Sequence, residues 1–175
     1  MDAVVVYESI YGNTRAIAEA IADGLGDASV VPVSQADARQ ADLLVVGGPT
    51  HMHGLASTRS RVMATEAARE DAGTHVDRNA TEGPGLRLWL RDLPQNQGAR
   101  AATFDTRLDK APWFTGEASR GIARRLRHKG YEIVGTESFL VEDSEGPLEE
   151  GELDRARAWG ANLAQSAAAR VGAST

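Results

Sequence analysis

Residues 7–25 read YESIYGNTRAIAEAIADGL. Ser9, Tyr11, Asn13 and Thr14 surround Gly12 and run straight into a helical pattern, with no lysine in the turn. Hydroxyls, an amide and the unpaired N–H groups of a helix N-terminus are neutral donors, and together with the helix dipole they suit an anion. A Walker turn, Gly-x-x-x-x-Gly-Lys-Ser/Thr, is absent, and no Gly-x-Gly-x-x-Gly follows the first apolar run. The turn therefore suits a terminal phosphomonoester better than a triphosphate or a pyrophosphate. The same residues also suit ordinary N-capping, in which Ser9, Asn13 or Thr14 satisfies the helix.

Two further stretches carry polar or aromatic groups at places where ligands bind: GGPTHMHG at 47–54 and the segment 105–116, which opens Asp105-Thr106-Arg107 and contains Trp113 and Phe114. His51 and His53 are two residues apart with no third histidine nearby and no cysteine anywhere in the chain, so no metal site is expected. The lack of cysteine also excludes disulfides, thiolate ligation and a cysteine nucleophile. Ser119 misses the Gly-x-Ser-x-Gly elbow by one position, so hydrolase chemistry is not indicated.

These stretches need elements to position them. AVVVY at 3–7 and DLLVVGG at 42–48 are short, continuous apolar runs, the pattern of strands buried on both faces of a parallel sheet. Between them, Ile17, Ala20, Ile21 and Leu25 recur at helical spacing over 14–25, and ASVVPV at 28–33 reads as a second strand ending near Pro32. ARAATFDT at 99–106 is a weaker fourth strand. Ala118, Ile122 and Leu126 predict a helix that Gly130 ends. A fifth strand covers 131–141, with a bulge or kink at Gly135, and a last helix runs from about Glu149 to Arg170. Helices are also predicted at 57–71 and 85–93, around an irregular segment at about 72–85. Five strands alternating with helices imply a three-layer α/β sandwich with a five-stranded parallel sheet. Ligands in such sheets bind beyond the carboxyl ends of the strands, at residues 8–14, 47–56 and 105–116 here.

With 175 residues the chain reads as a single domain over 1–175, with a short tail at about 171–175. A formal net charge of −6 argues against a general nucleic-acid binder. Arg120 to Lys129 is nonetheless strongly basic, and Glu142 to Asp154 is strongly acidic; each reads as a solvated face or as a docking surface. No basic leader and no membrane-length apolar run is evident, so a cytoplasmic location is expected.

SIYGNT resembles the phosphate-binding signature of flavodoxins, Ser/Thr-x-Thr-Gly-Asn-Thr, which follows the first strand and starts the first helix; Tyr11 stands where that signature has threonine. GGPTHMHG is similar to the flavodoxin segment that forms one wall of the isoalloxazine site. The resemblance implies a flavodoxin-like fold with strand order 2-1-3-4-5 and FMN as cofactor. It implies that Ser9, Ile10, Tyr11, Gly12, Asn13 and Thr14 hold the phosphate and that Pro49, Thr50, His51, Met52 and His53 line the ring. The loop after the fourth strand, with Asp105, Thr106, Arg107 and Trp113, would cover the other side. Stacking on the ring then falls to His51, Met52, His53, Trp113 or Phe114, and the last two are also candidates for packing in the core of the next helix. If the His53–Gly54 peptide flips as its counterpart does in flavodoxins, Gly54 stabilises the reduced cofactor. A guanidinium at Arg107 near flavin N1 would favour the anionic reduced form; a surface position, or pairing with Asp105 or Asp109, is the other reading of this residue. The function implied is low-potential electron transfer between a reductase and an acceptor enzyme, with Arg120–Lys129 as a docking helix. An NAD(P)H-dependent FMN oxidoreductase reducing a quinone or similar small molecule, and a flavin-free binding module, use the same fold and stay open.

Overall fold

The computed structural model describes residues 2–26, 28–37, 41–51, 54–55, 62–63, 66, 76–77, 79–80, 83–110 and 116–171. Its strands are β1 (Ala3–Tyr7), β2 (Ala28–Pro32), β3 (Leu43–His51), β4 (Gly54–Leu55), β5 (Arg100–Leu108) and β6 (Glu132–Val141). The helices are α1 (Asn13–Leu25), α2 (Leu86–Asp92), α3 (Ala118–His128) and α4 (Glu152–Val171). The main sheet is parallel in the order β2-β1-β3-β5-β6, which is the expected order once the two-residue β4, antiparallel to β3, is set aside.

Alternation along the strands sends side chains to two separate cores. Val5, Tyr7, Leu43, Val45, Ala102 and Phe104 face α1 and α4, whereas Val6, Leu44, Val46 and Ala101 face α2 and α3. The result is the three-layer arrangement expected from the buried, continuous apolar runs. Pro32, which cannot donate to a ladder, ends an edge strand. The register between β5 and β6 slips at Ala101/Ala102, where Val134 is passed over and Gly135 pairs with Ala102. The bulge thus falls beside Gly135, as its position in the strand suggested.

Three boundaries differ from expectation. β3 continues to His51 and β5 to Leu108, so Pro49, Thr50, His51, Arg107 and Leu108 are strand residues rather than loop residues. Their polarity hides the strand, but each still finds ladder partners in its neighbour: Pro49 pairs with Thr106, and Arg107 with Leu140. The last helix starts at Glu152, after Gly151 at φ +83°. The helix predicted at 57–71 lies mostly outside the described residues; Val62, Met63 and Glu66 within it are helical. Among the described residues no helix is long and apolar enough to cross a membrane.

α1 and α4 pack almost backbone to backbone. A Cβ placed on Gly24 would lie 2.0 Å from the carbonyl oxygen of Arg157, and one on Gly160 would lie 2.3 Å from that of Ile21. Neither neighbour is a flexible side-chain end, so a methyl must push the helices apart. Gly160→Ala is expected to lower the unfolding free energy by about 1–3 kcal/mol, read from chemical denaturation; an unchanged midpoint would show that the two helices are not held this closely.

Candidate functional site

The turn between β1 and α1 reaches the helix through Gly12, the N-cap, at φ +91° and ψ −19°. That left-handed backbone favours glycine, although a Cβ there would meet nothing within 4 Å. Ser9 Oγ accepts the N–H of Gly12 at 3.1 Å, which closes the turn. Behind it, the N–H of Asp77 donates to the Ile10 carbonyl at 2.7 Å, and Asp77 Oδ1 accepts the Asn79 N–H at 3.0 Å. Ser9 and Ile10 are buried, so this turn is fixed from beneath.

No side chain caps α1, and its first turn holds no acidic residue. The three candidate caps are all engaged elsewhere: Ser9 with Gly12, Asn13 Nδ2 with the Glu145 carbonyl at 2.9 Å, and Thr14 Oγ1 with Thr106 Oγ1 at 2.7 Å. The first N–H groups of the helix consequently have neither an intrahelical acceptor nor a side-chain cap. Ordinary N-capping, the other reading of these residues, does not occur.

A cavity of about 210 Å³ opens against this terminus at the C-terminal edge of the sheet. Ile10, Tyr11, Asn13 and Thr14 form one side; Pro49, Thr50 and His51 at the end of β3 form a second; Thr106, Arg107 and Leu108 at the end of β5 form a third. Val141 and Ser144 complete it. The three stretches singled out in the sequence therefore meet in one place. Gly54 pairs with His51 in β4 rather than lining the cavity, and its φ lies outside the left-handed region. Met52, His53, Trp113 and Phe114 lie outside the described residues.

The contribution of 141–147 was not foreseen, because its carboxylates read as a solvated run. It follows the C-terminal end of β6, and the strand-end rule applied to that strand as well would have found it. Its close approach is visible at Gly146, where φ is +108° and a Cβ would lie 2.6 Å from Asn13 Nδ2. Burial and the nearby Glu145 carboxylate together raise the Tyr11 phenol pKa, which keeps that hydroxyl neutral.

Asp105 does not line the cavity. It is fully buried and turned toward α3, where Oδ2 accepts the N–H of Ser119 at 2.7 Å, while Thr50 Oγ1 accepts the N–H of Ala118 at 2.9 Å. Two strand-end side chains thus cap α3 from a distance, in sharp contrast to the bare terminus of α1. Arg107 does not pair with Asp105 either. Its Nη1 donates to the carbonyls of Leu108 at 3.2 Å and Lys110 at 2.8 Å.

Comparison with known proteins agrees with this geometry. Residues 4–70 match the family model of the flavodoxin domain. The fold is flavodoxin-like. A flavodoxin from the domain Archaea superposes with a TM-score of 0.60 at 21% identity, covering 95% of this chain and 99% of that one. Oxidised flavodoxin 1 from Bacillus cereus gives 0.62 at 15%, covering 94% and 98%, and the Streptococcus pneumonia TIGR4 flavodoxin gives 0.61 at 18%, covering 95% and 99%. No curated protein matches the sequence. At these identities the structural likeness speaks for the fold, and in the flavodoxin-like arrangement the cavity lies at the edge of the sheet where β1 meets α1.

Burial pushes the Asp105 carboxyl above the usual carboxylate range, against the Ser119 N–H and the hydroxyls of Ser138, Ser119 and Thr50. The folded protein therefore holds this proton more tightly than the unfolded chain does, and folded stability from this group falls as pH rises from the ordinary carboxylate value through the raised one. Asp105→Asn keeps an oxygen for Ser119 and removes the titration. The unfolding free energy of the wild type relative to the variant is expected to drop across that window, in paired denaturation curves; a constant difference would contradict the assignment.

Proposed function

We propose that this chain binds FMN at the C-terminal edge of its sheet and carries electrons between a reductase and an acceptor enzyme. The observation that carries the reading is the bare terminus of α1, left uncapped while Ser9, Asn13 and Thr14 are each committed to other partners. A phosphomonoester fits the free N–H groups of the first turn and the positive end of the dipole. Gly12 lets the backbone turn there, and a Cβ built on it meets no described atom within 4 Å. The ring would lie against Pro49, Thr50 and His51 on one side and Thr106, Arg107 and Leu108 on the other. FMN supplies the redox chemistry when bound; the protein holds the phosphate, shelters one face of the ring and sets the local charge. His51 is the described side chain of this wall with an aromatic face to offer.

The docking surface we assign is the exposed side of α3 with the neighbouring part of α2. Arg120, Arg124 and Arg127 are exposed on α3, and Arg87 on α2. Arg87 and Arg124 stand close enough to Arg125 that, after burial, their charges lower its pKa. Crowding of like charges in a chain of net charge −6 is the pattern of a surface that meets an acidic partner.

Titration of the cofactor-free protein with FMN tests the reading. One FMN per chain is expected to be quenched, with riboflavin bound roughly 100-fold more weakly because it lacks two or three charge-assisted hydrogen bonds to the phosphate. Equal affinity for the two flavins would sink the phosphate assignment, and no quenching of either would leave a flavin-free binding module. Immediate bleaching of the loaded protein by NADPH alone would contradict the carrier role in favour of a reductase acting on a small molecule.

A further inference from the structure

Among the described residues lining the cavity, Arg107 is the one permanently charged side chain, and none is a carboxylate. Its position follows from the alternation of β5. Thr106 turns to α1, where it meets Thr14, whereas Arg107 turns to the α3 side, as Asp105 does two residues earlier. Arg107 therefore also walls a neighbouring groove that holds Glu117, Arg120, Glu137, Glu152 and Arg155.

The carboxylates of that groove are already matched. Glu117 pairs with Arg120; Glu137 and Glu152 pair with Arg155 at 2.9 and 2.7 Å. Asp105 is committed to the N-terminus of α3. The main-chain carbonyls of Leu108 and Lys110 hold one end of the Arg107 guanidinium without neutralising it, and its Nε is buried with no hydrogen-bond partner. A cation fixed in place, half-buried and lacking a countercharge among the described residues costs energy unless something anionic completes it.

We propose that Arg107 sets the charge preference of the flavin site: its guanidinium favours the reduced cofactor, which becomes anionic when N1 gives up its proton, over the neutral oxidised ring. The inference rests on FMN being the ligand. The potential of the couple is then higher than the same wall without this charge would give, because a cation on the cavity wall stabilises the anionic reduced form.

The test measures two quantities at one pH and low salt for the wild type, Arg107→Lys, Arg107→Gln and Arg107→Met. These are the FMN Kd of the oxidised protein, from fluorescence quenching, and the two-electron midpoint of the loaded protein, from equilibration with a reference dye. Together they give the Kd of the reduced state. Neutral substitution is expected to weaken the reduced state roughly tenfold more than the oxidised one, equivalent to a midpoint lower by about 30 mV, and lysine is expected to restore most of the difference. Two neutral variants guard against one that fails to fold, and thermal midpoints of the cofactor-free proteins check this. Equal weakening of both states, or an unchanged midpoint in both neutral variants, would overturn the assignment while leaving FMN binding intact. A wild type that binds no FMN would overturn both.

Discussion

The unpaired N–H groups at the start of α1 constrain what is built around them. A helix terminus that is neither capped nor exposed to bulk water is costly, and most chains dispose of it with a serine or an aspartate. Here the side chains that would serve are drawn away into the structure: Thr14 toward β5, Asn13 toward the loop after β6, Ser9 into its own turn. Two of these bonds tie the turn to other elements and the third closes it on itself, so the terminus is held in place and left bare by the same three interactions. Close packing of α1 on α4 at Gly24 and Gly160 then fixes the helix axis, and with it the direction in which the free amides point.

The opposite treatment of α3 sharpens the point. Its first amides are taken up by Thr50 and Asp105, side chains that reach it from the ends of β3 and β5. Thr50 lines the cavity as well, so the helix carrying the basic surface and the wall of the site share a residue. A parallel sheet places all its strand ends and the starts of the following helices on one side, so one edge accommodates a satisfied terminus beside an unsatisfied one. Charge follows the same division. The acidic groups near α3 are paired or buried, and the cavity beside α1 is left with a cation and neutral donors.

Much of this was legible in the sequence. The runs AVVVY and DLLVVGG could be recognised because a strand buried on both faces has no polar residues to break it, and the Gly135 bulge because glycine in a strand interior needs a reason. The Gly12 turn was legible from the absence of lysine as much as from the residues present. What could not be read were features decided by partners distant in the chain. Thr50, His51 and Arg107 look like loop residues until the ladders to β4 and β6 claim them. Asp105 looked like a ligand contact and is a cap for α3, because residue 119 lies beside it only after the fold closes. The loop after β6 looked solvated because it is a run of carboxylates; its contact with Asn13 is made by the backbone of Glu145, which composition does not reveal.

The account stands on the amides of α1 being the phosphate site, and the most direct measurement is a ¹H–¹⁵N correlation spectrum of the labelled protein as FMN is added. The N–H signals of Asn13, Thr14 and Arg15 are predicted to move furthest downfield, and inorganic phosphate alone should move the same signals in the same direction. If FMN binds and shifts other amides while these three stay in place, the anion lies elsewhere, and the bare helix terminus does not serve the purpose given to it here.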